Sequence, residues 1–170
     1  MTHMDEKMVA QVMVKMAAYS HGNLHDIAHY TKVHSFARTI GILENLSAEE
    51  QETLELAAIV HDIACPLCRK KYGNTNGVYQ EKEGGPLTEE FFKDVDIPES
   101  MKARIVYLVS HHHTYTNVDG RDYRILLEAD FLVNTDESNM SKEAIEEGKK
   151  NIYRTKTGTK LLEEIYQKAE

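Results

Sequence analysis

The sequence predicts an all-α fold, a helical bundle built as a single domain over residues 1–170. Apolar residues recur at three- and four-residue steps through most of the chain, which is the spacing of one buried helix face. No stretch alternates apolar and polar residues in the way that a half-buried strand would. With 170 residues and 41% hydrophobic content, one core is sufficient and nothing favours a second domain.

Helix-start and helix-stop residues place the first three helices. The first is predicted over residues 4–19, and the segment 21–23, which contains a glycine, ends it. Its expected buried stripe consists of Met8, Val12, Met13 and Met16. The second helix is predicted to begin near Asp26, a side chain suited to capping, and to extend to about residue 44. Ser47 and Glu50 have the spacing of a capping box, which opens a third helix that ends at His61.

Glycine and proline punctuate the middle of the chain. They predict an irregular loop over residues 64–86, and a loop of that length in a compact domain is more often functional than idle. Pro86 is expected to start a short helix that reaches about residue 93, and Pro98 another that reaches the three histidines at 111–113. A turn over 117–120 leads into a helix that contains Asp130. Two further helices, near residues 141–153 and 158–168, close the chain.

Three of the predicted helices each carry a metal-ligand type of residue on their apolar face. His29, His61 and Asp130 lie three or four residues from apolar residues of their own helices, and Asp62 borders the stripe of His61. A buried carboxylate needs a cation or several hydrogen bonds, because burying an uncompensated charge is costly. The pattern therefore indicates a metal site inside the helical bundle.

These four residues follow the chain in the order H…HD…D. His29 precedes a basic residue and a valine by three and four positions, the pair His61-Asp62 follows, and Asp130 comes last. The order, the separations and the helix faces resemble the HD-domain superfamily of metal-dependent phosphohydrolases. The resemblance extends over about residues 26–139, the expected core of the domain, with the C-terminal helices at 141–169.

The resemblance implies that His29, His61, Asp62 and Asp130 bind one divalent ion. Two imidazoles and two carboxylates suit Mn, Fe, Co or Zn, with Mg also acceptable, and leave positions for water and substrate. Metal-activated water would then attack phosphorus. The implied reaction is hydrolysis of a phosphoester or phosphoanhydride in a small phosphorylated molecule, such as a nucleotide, with Asp62 and His112 as catalytic residues.

Three consecutive histidines end the helix that precedes Asp130. Successive helical residues point about 100° apart, so all three cannot face one site. The apolar stripe of the helix continues to His112 and, less squarely, to His111, so His113 is expected to point outward. The resemblance makes His112 first and His111 second the candidates for binding substrate phosphate or a second metal. Solvated histidines at a helix C-terminus, favoured by its dipole, are the alternative.

Two features of the 64–86 segment bear on the site. Relatives often have a histidine where this chain has carboxylates. Glu81 is therefore a candidate base beside the metal ligands, or a ligand of a weak second ion. It is equally well explained as a solvated residue. Cys65 and Cys68 form a CxxC without a second pair of soft ligands, which argues against a zinc knuckle. We expect these cysteines to be two partly buried thiols in a turn.

Two other functions stay open on the sequence alone. Some HD-fold proteins hold two irons and activate oxygen, and His111 and His112 are candidates for the additional iron ligands. The scarcity of a further histidine in the 64–86 segment counts against this di-iron oxygenase. A non-catalytic nucleotide-binding module with a structural metal is the other alternative.

The charge and the ends of the chain restrict partners and compartment. A formal net charge of −8 argues against binding a nucleic-acid polymer, although a nucleotide is still an acceptable substrate. The N-terminus lacks the basic and apolar segments of a secretory signal, and no stretch approaches the ~20 apolar residues of a membrane span. We therefore expect a cytoplasmic protein without a membrane partner. A second copy of the chain, in a homodimer, is a candidate source of specificity.

Overall fold

The computed structural model describes residues 4–168, and in this range the chain forms nine α-helices and no strand. None of these helices is long and apolar enough to cross a lipid bilayer. The all-α prediction is thus confirmed. The helices are α1 (Glu6–Tyr19), α2 (Leu24–Leu43), α3 (Ala48–Val60), α4 (Cys65–Tyr72), α5 (Gly77–Phe92), α6 (Glu99–His111), α7 (Arg121–Glu137), α8 (Lys142–Ile152) and α9 (Lys156–Tyr166).

Helix α3 lies at the centre of the bundle. From Gln51 to Val60 every residue except Glu52 is buried, as expected for a helix surrounded by others. Helices α1, α2, α6 and α7 all pack against it, and α2 also packs against α7. The three helices α2, α3 and α7 therefore meet in one place, and each carries residues of the H…HD…D pattern near that meeting point.

The predicted cap of α3 is present in the structure, whereas the predicted cap of α2 is not. Ser47 and Glu50 make the predicted capping box, in which each side chain accepts a hydrogen bond from the other residue's backbone N–H. At α2 the cap is Asn23, whose side-chain oxygen accepts from the N–H of Asp26. The prediction of Asp26 as the cap was wrong. Its carboxylate is instead occupied by two hydrogen bonds from the Arg69 guanidinium, at 2.5 and 2.8 Å.

The prediction of a long loop over 64–86 was wrong. Helices α4 and α5 occupy most of this segment, and Pro86 lies inside α5 instead of starting a helix. Positions 84 and 85 require glycine because α5 and α6 approach each other closely here. A Cβ at Gly84 would lie 2.8 Å from the Val109 side chain, and one at Gly85 would lie 2.9 Å from Ser110 Oγ. The two glycines thus permit the close packing of α5 against α6.

A buried carboxylate joins α2 to α3. The side chain of Glu55 is 0% exposed and accepts hydrogen bonds from Gln51 Nε2 at 2.8 Å, His34 Nε2 at 2.9 Å and Arg38 Nη1 at 3.3 Å. Burial on its own raises the pKa of Glu55, but these hydrogen bonds and the nearby positive charges bring it below its ordinary value. The carboxylate is therefore charged and fully partnered, and it fixes the two helices that bear the histidine pair of the site.

A second buried carboxylate, Glu128, fixes α7 against the connection between α8 and α9. It accepts hydrogen bonds from the backbone N–H groups of Arg154 and Thr155, at 2.9 and 3.1 Å, and from the Thr155 hydroxyl at 2.5 Å. Residues 128 and 130 point to nearly opposite sides of a helix. Glu128 thus anchors the outer side of α7 while Asp130 faces inward.

Replacing Glu55 by alanine is expected to lower the free energy of unfolding by about 3 kcal/mol, because it leaves the buried donor of Gln51 and the partly buried donors of His34 and Arg38 without their acceptor. Urea unfolding at neutral pH measures this change. Glu49→Ala is the matched control, since Glu49 is an exposed acidic residue of the same helix, and it should shift stability by no more than about 0.5 kcal/mol. Equal losses in both variants would contradict the role given to the Glu55 network.

Candidate metal centre

Four side chains from α2, from the end of α3 and from α7 converge on one point. His29 Nε2 lies 3.1 Å from His61 Nε2, 3.1 Å from Asp62 Oδ2 and 3.2 Å from Asp130 Oδ1. His61 Nε2 lies 3.3 Å from Asp130 Oδ1 and 3.5 Å from Asp62 Oδ2. The structure therefore brings together all four residues that the sequence singled out as candidate ligands.

The contacts of the Nδ1 atoms determine which form of the Nε2 atoms the two imidazoles turn toward each other. His61 Nδ1 lies 2.6 Å from the carbonyl oxygen of Ala58, and His29 Nδ1 lies 2.9 and 3.0 Å from the two carboxylate oxygens of Glu137. Both acceptors require an N–H on Nδ1, so in the neutral rings the lone pairs are on the Nε2 atoms. Two lone pairs would then face each other at 3.1 Å, which needs a cation between them or beside them.

The carboxylates also need a cation nearby. Asp130 Oδ1 is buried and has no hydrogen-bond donor, although a charged oxygen in such a position normally has several. Burial lowers the pKa of His29, but the adjacent carboxylates of Asp130 and Asp62 raise it to about 11. Burial raises the pKa of Asp62, but the charge of His61 and the adjacent imidazoles of His112 and His29 hold it well below its usual range. The donor set thus attracts positive charge and fits a divalent ion.

A second group of candidate ligands adjoins the first. Asp62, His112 and His113 each offer a ligand atom, and these atoms lie within 4.8 Å of one another. Asp62 belongs to both groups, because its Oδ2 faces His29 while its Oδ1 lies 3.3 Å from His112 Nε2. The Nε2 atoms of both histidines are buried without a hydrogen-bond partner. Asp62 itself is 23% exposed, so the two groups meet at the edge of the bundle and not in its interior.

The expectation that His113 points outward was wrong. Helix α6 ends at His111, and His112 is its C-cap, so the 100° rule no longer applies to the residue that follows. The chain turns there, and the ring of His113 lies beside that of His112, tilted by 46°, with centroids 4.0 Å apart. Burial and the charge of His112 lower the pKa of His113 to about 4, so its imidazole is neutral at neutral pH.

The structure does not bring His111 to the site. Its ring stacks on Tyr107 with centroids 4.0 Å apart, and its Nδ1 bonds to the Tyr107 carbonyl oxygen at 2.7 Å. The Tyr123 hydroxyl donates to its backbone oxygen at 2.9 Å. His111 therefore contributes to the packing of α6 against α7. The position at the site that the helical periodicity predicted for His111 is occupied by His113.

Glu81 is neither a solvated residue nor a member of either ligand group. Its carboxylate accepts hydrogen bonds from the backbone N–H of His113 at 3.2 Å and from the Thr114 hydroxyl at 2.9 Å. These contacts fix the turn after α6 that directs His113 inward. Glu81 thus acts on the site through the backbone.

A cavity of about 250 Å³ opens onto both groups. Its lining adds polar side chains that the sequence did not single out, among them Arg69, Gln80, Asn134 and Glu137. A larger surface groove of about 610 Å³ near Arg38 contains none of the candidate ligands. The smaller cavity is the candidate reaction site because it is lined by His113 and Asp130, whose Nε2 and Oδ1 atoms are buried without a hydrogen-bond partner.

The two cysteines lie in α4 and not in a turn. Both are buried and unpaired, with Cys65 at the first residue of the helix and on the cavity wall. Burial, together with the negative charges of Asp62 and Asp26, raises the pKa of the Cys65 thiol well above its usual range. Thiolate chemistry is accordingly disfavoured at this position.

The chain was compared with protein families, with curated proteins and with solved structures. No protein-family model matches the chain, and no curated protein does. The crystal structure of a predicted HD superfamily hydrolase from an uncultured Thermotogales bacterium superposes with a TM-score of 0.67, over 93% of this chain and 84% of that one. The chain has the HD-domain fold. Since the two sequences are only 18% identical, the likeness supports the HD-domain architecture, and the ligand groups have to be argued from their own geometry.

If the first group binds a divalent ion, removing that ion should lower the melting temperature. An ion that binds only the folded state stabilises it by about 2.7 kcal/mol at a hundredfold excess over Kd, and chelation would remove that contribution. The measurement is a melting curve before chelation, after it, and after Mn²⁺ is restored. Asp130→Ala is the control, because its melting temperature should no longer respond to Mn²⁺. A wild-type curve that stays unchanged after proven loss of the ion would contradict the site.

Proposed function

We propose that this protein is a metal-dependent phosphohydrolase of the HD type. The observation that carries the proposal is the cluster of His29, His61, Asp62 and Asp130, in which two imidazole lone pairs face each other and Asp130 Oδ1 lacks a hydrogen-bond donor among the described residues. The similarity to a predicted HD superfamily hydrolase supports a hydrolase of this kind. The phosphoryl substrate is our proposal.

The roles of the side chains follow from their positions. His29, His61, Asp62 and Asp130 would hold a divalent ion, which would supply Lewis-acid activation of water and offset negative charge on the phosphoryl oxygens. Asp62 joins that group to His112 and His113, so a phosphoryl group in the cavity would contact both sides of its carboxylate. His112 and His113 present buried Nε2 atoms either to a phosphoryl oxygen or to a second cation.

The cavity restricts the substrate by size and polarity. At about 250 Å³ it is smaller than the ~300–1,000 Å³ typical of sites for drug-sized ligands. Its lining is mostly polar and includes Arg69, whose guanidinium donates hydrogen bonds to the Asp26 carboxylate. We therefore propose a small phosphorylated molecule, a nucleotide included, of which the phosphoryl end enters the cavity. Metabolite screening with Mn, Co, Fe, Zn and Mg tests this proposal.

The second ligand group supports one other candidate function. A carboxylate shared by two groups, with His113 turned inward to complete the second, is an arrangement that also suits two irons and oxygen chemistry. The inward position of His113 supplies the additional histidine that the 64–86 segment lacks. Two irons per chain in freshly purified protein, together with oxygen consumption and no phosphate release, would favour this di-iron oxygenase over the phosphohydrolase.

Three variants separate ligand roles from substrate roles. Asp130→Ala should lose both the ion and the phosphatase activity, because a ligand and its charge disappear together. His112→Ala and His113→Ala should each keep the ion of the first group but lose turnover by roughly 10²–10³, the effect of removing one contact that stabilises the transition state. Metal content and phosphate release are measured on each purified variant.

His21→Ala is the control for these variants, since His21 is exposed and contributes to neither ligand group. It should leave metal content and rate near wild type. Full activity in both His112→Ala and His113→Ala would refute the role of the second group. Full metal content in Asp130→Ala would refute the role of the first.

A further inference from the structure

Glu137 lies behind the candidate metal centre, at the end of α7. It follows Asp130 by seven residues, two helical turns, so both carboxylates lie on the same side of the helix. Its two oxygens lie 2.9 and 3.0 Å from His29 Nδ1, on the side of the ring that faces away from the other candidate ligands. The Glu137 side chain is 15% exposed, and it lines the same cavity.

The two histidines of the first group have different acceptors behind them. His61 has the neutral carbonyl oxygen of Ala58, whereas His29 has a charged carboxylate. Donation of an N–H to a carboxylate fixes the tautomer and the orientation of a ring, and it makes the opposite nitrogen more basic. Glu137 therefore keeps the Nε2 lone pair of His29 directed at Asp62 and Asp130.

Other side-chain nitrogens near Glu137 are too far away to satisfy its charge. Lys32 Nζ lies 3.9 Å and His25 Nε2 lies 4.0 Å from its oxygens, and both of these side chains are exposed. Pairs of that length and exposure contribute little to stability. The close contact of Glu137 is thus the one with His29, and its negative charge acts mainly along that hydrogen bond.

We propose that Glu137 is a positioning residue, which orients His29 and raises the affinity of the first ligand group for a divalent cation. The inference rests on the proposed function only in that the same cation serves the reaction. It adds a residue outside the H…HD…D pattern to the determinants of metal binding. It also gives α7 two tasks, since Asp130 faces the ion and Glu137 holds one of the ion's other ligands.

Glu137→Gln separates this role from a purely structural one. The glutamine amide oxygen still accepts the Nδ1–H of His29, so a hydrogen bond that only ties α2 to α7 would survive. The negative charge is lost, and we expect the Kd for Co²⁺ to rise roughly 10–100-fold. Calorimetric titration of Co²⁺ into chelator-treated protein measures Kd, and the visible absorption spectrum of bound Co²⁺ reports its coordination.

Asp136→Asn is the matched control, because it removes the same charge from the neighbouring, exposed residue of α7. Its Kd should stay within about twofold of wild type, which separates a contact with His29 from a general effect of charge. Glu137→Asp keeps the charge on a shorter side chain and should bind Co²⁺ more tightly than Glu137→Gln. It also serves if Glu137→Gln does not fold, which circular dichroism would show.

The inference would be overturned if Glu137→Gln bound Co²⁺ as tightly as wild type, or if Asp136→Asn lost as much affinity. It would also be overturned if Glu137→Asp, once folded, bound no better than Glu137→Gln. The proposed function fails separately, through a wild-type protein that binds Co²⁺ and releases phosphate from no phosphorylated substrate. In that case the comparison of Kd values still decides the role of Glu137.

Discussion

The energetic problem of this structure is the burial of two carboxylates beside two imidazoles at the junction of α2, α3 and α7. Removing a carboxylate from water is costly unless the interior replaces the lost solvation. Asp130 Oδ1 receives no hydrogen bond, and the nitrogens nearest to it, on His29 and His61, present lone pairs in their neutral forms. The packing of three helices therefore depends on positive charge at this point, from protons or from a metal ion.

The contrast with the other buried carboxylates makes this point specific. Glu55 and Glu128 are both completely buried, yet each receives several hydrogen bonds from side chains or backbone of the protein itself. Such groups stabilise the fold without any ligand. The carboxylate of Asp130 differs from them in lacking donors, and not in depth of burial. A buried carboxylate oxygen without donors, in an interior where the other buried carboxylates have several, indicates a binding site.

Sequence reasoning succeeded where regular helices carry the information. His29 and Asp130 lie inside helices and His61 directly follows one, so apolar periodicity alone was enough to direct them inward. It failed for His113, because the helix ends before that residue, and for residues 64–86, where glycines that suggested a loop are needed for close helix packing. Both errors depend on tertiary contacts. Glu137 was within reach of the same reasoning, since it lies two turns beyond Asp130.

The position of Asp62 explains how two ligand groups fit within one small bundle. It lies in the turn after α3, where the backbone is free of the helical repeat, and its two oxygens face different histidines. The first group has a second carboxylate of its own, Asp130, whereas the second group has only the shared one and two imidazoles. A cation would therefore be held more strongly in the first group. Once bound there, it would offset part of the charge of Asp62, so the second group would suit a more weakly held cation or, on the proposed function, a phosphoryl oxygen that needs a donor.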